Sequence, residues 1–287
     1  MSDQKSLPGV SGAAKLAGVI GWPVTHSRSP RLHGYWLQAH GIDGAYLPLA
    51  VPPAELERAL RALPALGFRG VNVTVPHKEE ALRLVDEATP LARRIGAVNT
   101  IIVRADGSLL GDNTDGYGFM ENLRERAPDW NPAAAPVVVL GAGGAARAVI
   151  AALLEAGVPD IRLYNRSPER ARELASVFER VTALPWEARE ERLADVGLLV
   201  NTTTVGMKDG ASPLALDKLN GQALVTDLVY VPLETPLLAA ARARGNPVVD
   251  GLGMLIHQAR PGFAAWFGVE VRPSEALRAM LLADLAA

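Results

Sequence analysis

The sequence predicts an α/β protein of two domains, the second built on a doubly wound parallel sheet. Three observations lead there. Short apolar runs alternate with amphipathic helical stretches from Lys15 onward, the signature of strands joined by helical crossovers. The stretch Ala127–Pro136 holds three prolines and little periodicity, which marks a connection into a new unit. Beyond it, Val137–Leu140 runs straight into a glycine-rich turn and a long apolar helix. A chain of 287 residues has the length of two ordinary domains.

Taken in order, Leu16–Ile20 reads as a strand, about Pro30 to His40 as a helix, Ala45–Pro48 as a strand, Pro53–Leu63 as a helix and Gly70–Val75 as a strand. A helix fits Glu79–Val85. Val98–Arg104, Asp106-Gly107 and Leu109-Leu110 form a hairpin pattern, and a helix covers about Gly116 to Arg126. Strands in this part are expected to be mainly parallel. In the second part, Val137–Leu140, Ile161–Tyr164, Leu198–Asn201, Leu224–Leu228 and Val248–Val249 are buried-strand candidates. The last segment, Leu252–Ala287, is helical in pattern and is expected to pack back on the first domain. The expected domains are thus residues 1–117 with 252–287, and residues 118–251.

Composition narrows the function. The net charge is -2, from 29 basic and 31 acidic residues, so no basic field exists to hold a nucleic acid or an anionic membrane. With no cysteine, disulfides, thiolate metal sites and a cysteine nucleophile are excluded together. Residues 1–15 lack the apolar core of a secretory signal, and no stretch reaches the ~20 apolar residues of a membrane span. Residues 1–13 read as a polar lead-in. A cytoplasmic protein acting on a small molecule is expected.

The turn after Val137–Leu140 is Gly141-Ala142-Gly143-Gly144-Ala145-Ala146-Arg147, followed by the apolar helix Ala148–Ala156 and Gly157. Strand, glycine turn and helix N-terminus together cradle a pyrophosphate in Rossmann-type domains: the glycines let the backbone approach, and free N–H groups face the anion. Ala146 stands at the third glycine position, where only smallness is needed. The next strand ends in Asn165-Arg166-Ser167-Pro168-Glu169-Arg170. An NAD site usually places an acid here for the ribose 2′-hydroxyl, whereas a guanidinium suits a 2′-phosphate, so Asn165, Arg166 and Arg170 favour NADP. Ser167 also suits a helix cap.

Four polar segments follow or end strand-like runs: Gly21–Pro30 (GWPVTHSRSP), Gly70–Lys78 (GVNVTVPHK), Gly96–Thr100 (GAVNT) and Gly111–Gly116 (GDNTDG). Carbonyl reduction requires a proton donor beside the oxygen as hydride arrives at carbon. The histidines show no metal-ligand spacing and no Ser/His/Asp order is present, which leaves Lys78 and Asp115 as the credible pair: a lysine whose pKa a confined pocket lowers, oriented by a carboxylate.

These segments, with the glycine loop, Asn165-Arg166-Ser167, Asn201–Met207, Asp227–Tyr230, Thr235–Leu237 and Gly251–Leu255 followed by Gln258, resemble the signature segments of NADP-dependent shikimate dehydrogenases over roughly residues 16–280. The resemblance implies reversible reduction of 3-dehydroshikimate to shikimate in aromatic amino-acid biosynthesis, with Lys78 and Asp115 as the catalytic pair. It implies that Ser27 and Ser29 bind the substrate carboxylate, that Thr74, Asn99 and Gln258 bind its oxygens, and that Tyr230 lies beside it. It places Gly141–Ala145 and Asn165–Arg170 on the cofactor, with Leu228 and Gly251 near the nicotinamide. No metal is expected, and the protein is expected as a monomer or homodimer. Rivals are an NAD-preferring quinate/shikimate dehydrogenase and a non-catalytic NADP-binding regulator.

Structural readings stand beside these. Ser29 before Pro30 suits a helix N-cap, Asn99 a turn, Gln258 a helix surface, and Trp22, Met254 and Phe263 read as packing. One departure from the family pattern is Gly34, where asparagine commonly follows the histidine. Inside a helix it should lower stability by ~1 kcal/mol without removing a catalytic group.

Overall fold

The computed structural model describes residues 10–207 and 210–286. Most of the polar lead-in, residues 1–9, and the final residue of the C-terminal segment lie outside the described residues. The chain forms two compact units, one running to Thr114 and resuming at Gln258, the other spanning Asp115–His257.

The first unit contains β1 (Lys15–Gly21), α1 (Ser29–Ala39), β2 (Gly44–Ala50), α2 (Leu56–Ala62), β3 (Phe68–Val73), α3 (Lys78–Leu84), β4 (Glu87–Ala88), α4 (Pro90–Ile95), β5 (Thr100–Val103) and β6 (Leu109–Asp112). Its sheet has the order β2-β1-β3-β5-β6-β4. β1 is parallel to β2 and β3, but β5 runs antiparallel to both β3 and β6. β4 is parallel to β6, so the strands expected to be parallel are so, and the antiparallel pairs all involve β5, the first strand of the expected hairpin. Asp106 closes that hairpin: its Oδ1 accepts the Ser108 N–H at 2.9 Å and Gly107 takes φ of 84°, so β5 and β6 run in opposite senses. Apolar side chains of β1, β3, α2, α4 and β5, among them Ile20, Val71, Leu60 and Ile101, form its core.

The second unit contains α5 (Asp115–Arg126), β7 (Val137–Leu140), α6 (Gly144–Glu155), β8 (Ile161–Tyr164), α7 (Pro168–Val177), β9 (Val181–Leu184), β10 (Leu198–Asn201), β11 (Leu224–Asp227), α8 (Pro236–Ala243) and β12 (Val248–Val249). Its sheet order is β12-β11-β10-β7-β8-β9, every pair parallel, which is the doubly wound arrangement with a switch point beside β7. β7, β10 and β11 are buried along their whole length, as strands covered on both faces must be. β9 is a half-exposed edge strand that the apolar-run pattern does not reveal.

The helix α9 (Leu252–Phe267) and then α10 (Glu275–Ala286) complete the chain. From Gln258 onward these belong to the first unit, where the Trp266 indole N–H donates to the Ile101 carbonyl at 3.0 Å and Arg28 pairs with Asp284 at 2.9 Å.

Candidate active site

In the first unit, main-chain hydrogen bonds bring three of the polar segments to one level. Val73 N–H donates to the Asn99 carbonyl, Asn99 N–H to Asp112, and Val98 N–H to Lys78, at 2.8, 3.0 and 2.9 Å. Lys78 is thereby fixed as the first residue of α3 beside the loop that carries Asn99. Thr74 donates its N–H to Ile20 at 2.9 Å, and Gly21 is tolerated next to it only without a side chain, since a Cβ there would meet Thr74 Cγ2 at 2.5 Å.

Asn99 is buried and its amide orientation is determined. The Oδ1 accepts from Thr114 N–H at 2.8 Å and from the Thr100 hydroxyl at 2.9 Å, which leaves Nδ2 toward Thr114 Oγ1 at 3.2 Å and Gln258 Oε1 at 3.4 Å. The sequence-predicted pair Asn99 and Gln258 thus meets, with Thr114 bridging them through its bond to the Gln258 carbonyl at 2.8 Å. Asp115 is peptide-bonded to Thr114, buried, at the first position of α5.

Two local readings need correction. Ser29 does not cap α1: Arg28 holds the cap position and no side-chain cap bond forms, while the buried Ser29 side chain interacts with the Tyr46 hydroxyl. Its N–H is taken by Ser27 Oγ at 3.3 Å, so the two serines are coupled. Trp22 is not a packing residue; it is 47% exposed, beside the exposed Val75 whose carbonyl accepts its N–H at 3.1 Å. Phe263 is fully buried as expected.

In the second unit, Gly141 adopts φ of 103° and packs so tightly that a Cβ would lie 2.5 Å from Thr202 Oγ1. A Cβ on Gly143, in contrast, would meet nothing within 4 Å, so this turn is open on its outer side. Gly143 caps α6 without any side-chain bond, and the first turn of α6 has no acidic residue. Unpartnered N–H groups at an uncapped helix start, next to glycine backbone that a ligand can approach, fit a pyrophosphate. Ala146 is fully buried.

Beside this turn, Asn165 Nδ2 donates to the Ser167 carbonyl at 2.9 Å, curving the loop after β8. Ser167 occupies the cap position of α7 but forms no cap bond, and its hydroxyl donates to Glu169 at 3.1 Å. Arg166 lines a cavity of about 310 Å³ together with Asn165, Arg172, Leu184 and Trp186. Arg172, which sequence reasoning missed, shares that cavity, whereas Arg170 does not line it. Two guanidinium groups line this cavity together with one carboxylate, Glu187, and residues 165–168 carry no acid, an arrangement that suits a 2′-phosphate better than a bare ribose.

Leu228 and Gly251 are in contact: a Cβ on Gly251 would lie 2.5 Å from the Leu228 carbonyl. The loop that carries Leu228 and Tyr230 hangs from the fully buried Asp227, whose carboxylate accepts from Asn201, Val229 N–H and Thr235. Among the described residues, no group of three potential ligands could hold a metal ion, and no helix is long and apolar enough to cross a membrane.

The family model described as the shikimate dehydrogenase substrate binding domain matches residues 19–101, and that described as shikimate / quinate 5-dehydrogenase matches residues 124–207. A curated relative from Paramagnetospirillum magneticum named shikimate dehydrogenase (NADP(+)) is 63% identical over 95% of this chain and 100% of its own. The chain belongs to the shikimate dehydrogenase family. Within that family, the solved structure of shikimate 5-dehydrogenase from Thermus thermophilus in complex with NADP(H) and shikimate is 42% identical, with a TM-score of 0.83 over 93% of this chain and 99% of that one. A quinate dehydrogenase from Corynebacterium glutamicum in complex with NAD is similar too, 34% identical with a TM-score of 0.87 over 94% and 99%. The first family model takes in Ser27, Ser29, Thr74, Lys78 and Asn99, and the second takes in the glycine turn and Asn165–Arg170.

Proposed function

We propose that this chain catalyses the NADP-dependent, reversible reduction of 3-dehydroshikimate to shikimate. The observation that carries the reading is the 63% identity, over nearly the whole of both chains, to a relative named as an NADP-dependent shikimate dehydrogenase. Residues 1–117 with 252–287 serve as the substrate-binding part and residues 118–251 as the NADP-binding part. The enzyme acts in the cytoplasm on this small molecule, as a monomer or homodimer.

The nicotinamide, when bound, supplies the hydride for reduction and accepts it for oxidation. Lys78 gives a proton to the carbonyl oxygen as negative charge develops there, and the Asp115 carboxylate balances and orients it. Ser27 and Ser29 hold the substrate carboxylate, and Thr74, Asn99 and Gln258 hold its remaining oxygens, with Tyr230 alongside. The coupling of Ser27 to Ser29, and of Asn99 to Gln258, supports those two groupings. Gly141, Ala142, Gly143, Gly144 and Ala145 receive the pyrophosphate, Asn165, Arg166, Ser167 and Arg170 the 2′-phosphate side, and Leu228 and Gly251 face the nicotinamide.

Initial rates of shikimate oxidation with NADP in wild type and Lys78→Ala test this assignment, alongside NADP binding by calorimetry. A loss of kcat by at least about a hundredfold with NADP affinity retained is expected for a proton-transfer residue. Unchanged kcat would remove Lys78 from the chemistry, and a wild type inactive on shikimate would remove the function itself.

A further inference from the structure

Tyr46 and Asn72 lie on strands either side of β1. Tyr46 pairs with Ala17 and Asn72 with Val19, so both project from the same face of the sheet, and the small side chain of Ala17 leaves the phenol room to cross β1. Tyr46 OH donates to Asn72 Oδ1 at 2.6 Å. Thr100, directly opposite Asn72 on β5, accepts from Asn72 Nδ2 at 3.2 Å, and that same Nδ2 donates to the Asn99 carbonyl at 3.2 Å.

Main-chain partners fix both asparagine amides. The Asn99 carbonyl only accepts, so Asn72 must turn Nδ2 to it and Oδ1 to Tyr46. Thr100 then has its hydroxyl proton left for Asn99 Oδ1, at 2.9 Å, in agreement with the Thr114 N–H that reaches the same oxygen. Asn99 Nδ2 donates onward to Thr114 Oγ1, whose proton goes to the Gln258 carbonyl. The result is a series of hydrogen bonds from a buried phenol, past β1, to the Asn99 amide, whose Nδ2 meets Gln258 Oε1 at 3.4 Å.

We propose that Tyr46 is a positioning residue: by donating to Asn72 Oδ1 it anchors the amide whose Nδ2 supports the Asn99 carbonyl and the Thr100 hydroxyl, and so holds Asn99 in place beside Gln258 for a substrate hydroxyl. This rests on the reading that Asn99 and Gln258 bind substrate. The phenol is clamped for the purpose. His33 stacks on its ring at 3.9 Å with planes 2° apart, and Trp266 packs against it at 6.1 Å.

Removing the Tyr46 hydroxyl leaves Asn72 Oδ1 buried without this donor and loosens the amide that supports the Asn99 carbonyl and Thr100. The test is initial-rate kinetics on Tyr46→Phe, Thr100→Val and the double variant, using shikimate and its two ring-deoxy analogues that keep the reacting hydroxyl. Tyr46→Phe and Thr100→Val should each raise KM for shikimate about tenfold with kcat unchanged, while the KM of the analogue lacking the contacted hydroxyl stays at its wild-type value. The double variant should be no worse than the weaker single one, because both cut the same series. NADP affinity should not move in any of them. Equal KM changes for all three substrates, additive losses, or wild-type KM in both single variants would overturn the proposal. Should the wild type fail to oxidise shikimate, the functional reading fails; should it oxidise shikimate while the variants match it, the positioning role alone fails.

Discussion

Asn201 and Asp227 sit opposite each other on the parallel strands β10 and β11, and the Asn201 amide donates to Asp227 Oδ1 at 3.0 Å. Val229 N–H reaches the same oxygen at 3.0 Å and the Thr235 hydroxyl reaches Oδ2 at 2.8 Å, so one carboxylate organises the ends of two strands and the start of α8. Removing it leaves three buried donors without their acceptor. Asp227→Ala should destabilise the protein by about 3 kcal/mol in urea unfolding, and Asp227→Asn by less; a change within about 0.5 kcal/mol would contradict this. Burial pushes the Asp227 carboxyl above its ordinary range. A raised acid makes the folded state the stronger proton binder, so this group's contribution declines as pH rises through that window, and Asp227→Asn should abolish the decline.

His33 gives the opposite slope. Burial among Trp36, Tyr46, Phe263 and Trp266 holds its pKa down to about 3, against an ordinary 6.5. Below pH 6.5 the unfolded chain takes up a proton that the folded chain refuses, so stability is full above 6.5 and falls as pH drops toward 3. The loss approaches about 1.4 kcal/mol per pH unit. Wild type and His33→Phe should therefore show a stability difference that is flat above pH 6.5 and shifts steadily below it. A difference constant across the whole range would contradict the buried neutral imidazole.

Two glycines should respond to alanine in opposite ways. Gly34 lies exposed inside α1, and a Cβ there would meet nothing within 4 Å, so Gly34→Ala should stabilise by ~1 kcal/mol. Gly70 has φ of 155°, and a Cβ would lie 2.1 Å from the Ile101 carbonyl and 2.2 Å from Trp266 Nε1. Gly70→Ala should cost more than about 3 kcal/mol, because it strikes the hydrogen bond that joins those two groups. Denaturation curves that rank the two substitutions alike would count against this packing.

Cofactor choice should follow the guanidinium groups on the 310 Å³ cavity. Arg166→Gln should raise KM for NADP about ten- to a hundredfold and leave KM for NAD nearly unchanged, since only NADP brings a 2′-phosphate. Arg172→Gln should shift the same ratio in the same direction. An equal effect on both cofactors would assign these arginines to another part of the nucleotide.

Much of the second unit was legible because its information is local. The runs at Val137, Leu198 and Leu224 are continuous and apolar, as strands buried on both faces must be, and Gly141 carries its own backbone requirement. β9 escaped notice because an edge strand needs no apolar run. The first sheet was harder. Asp106-Gly107 announced the hairpin, but nothing near β3 announces that β5 will lie antiparallel beside it. The proposed site residues Thr74, Lys78 and Asn99 stand where polar groups interrupt apolar runs. Tyr46 was hidden because a tyrosine in a strand looks like core, and its bond to Asn72 exists only once β1 has brought β2 and β3 together. Ser29 was misjudged as a cap because Ser-Pro has that local meaning, while its actual environment is set by a residue on β2.

The central claim, hydride exchange between NADP and shikimate, is tested most directly by initial rates of the purified wild type with shikimate and with quinate, each with NADP and with NAD. The account predicts rapid NADP reduction with shikimate and far slower reaction with quinate or with NAD. Preferred turnover of quinate with NAD, or no turnover of any pair by a folded protein that binds NADP, would contradict it.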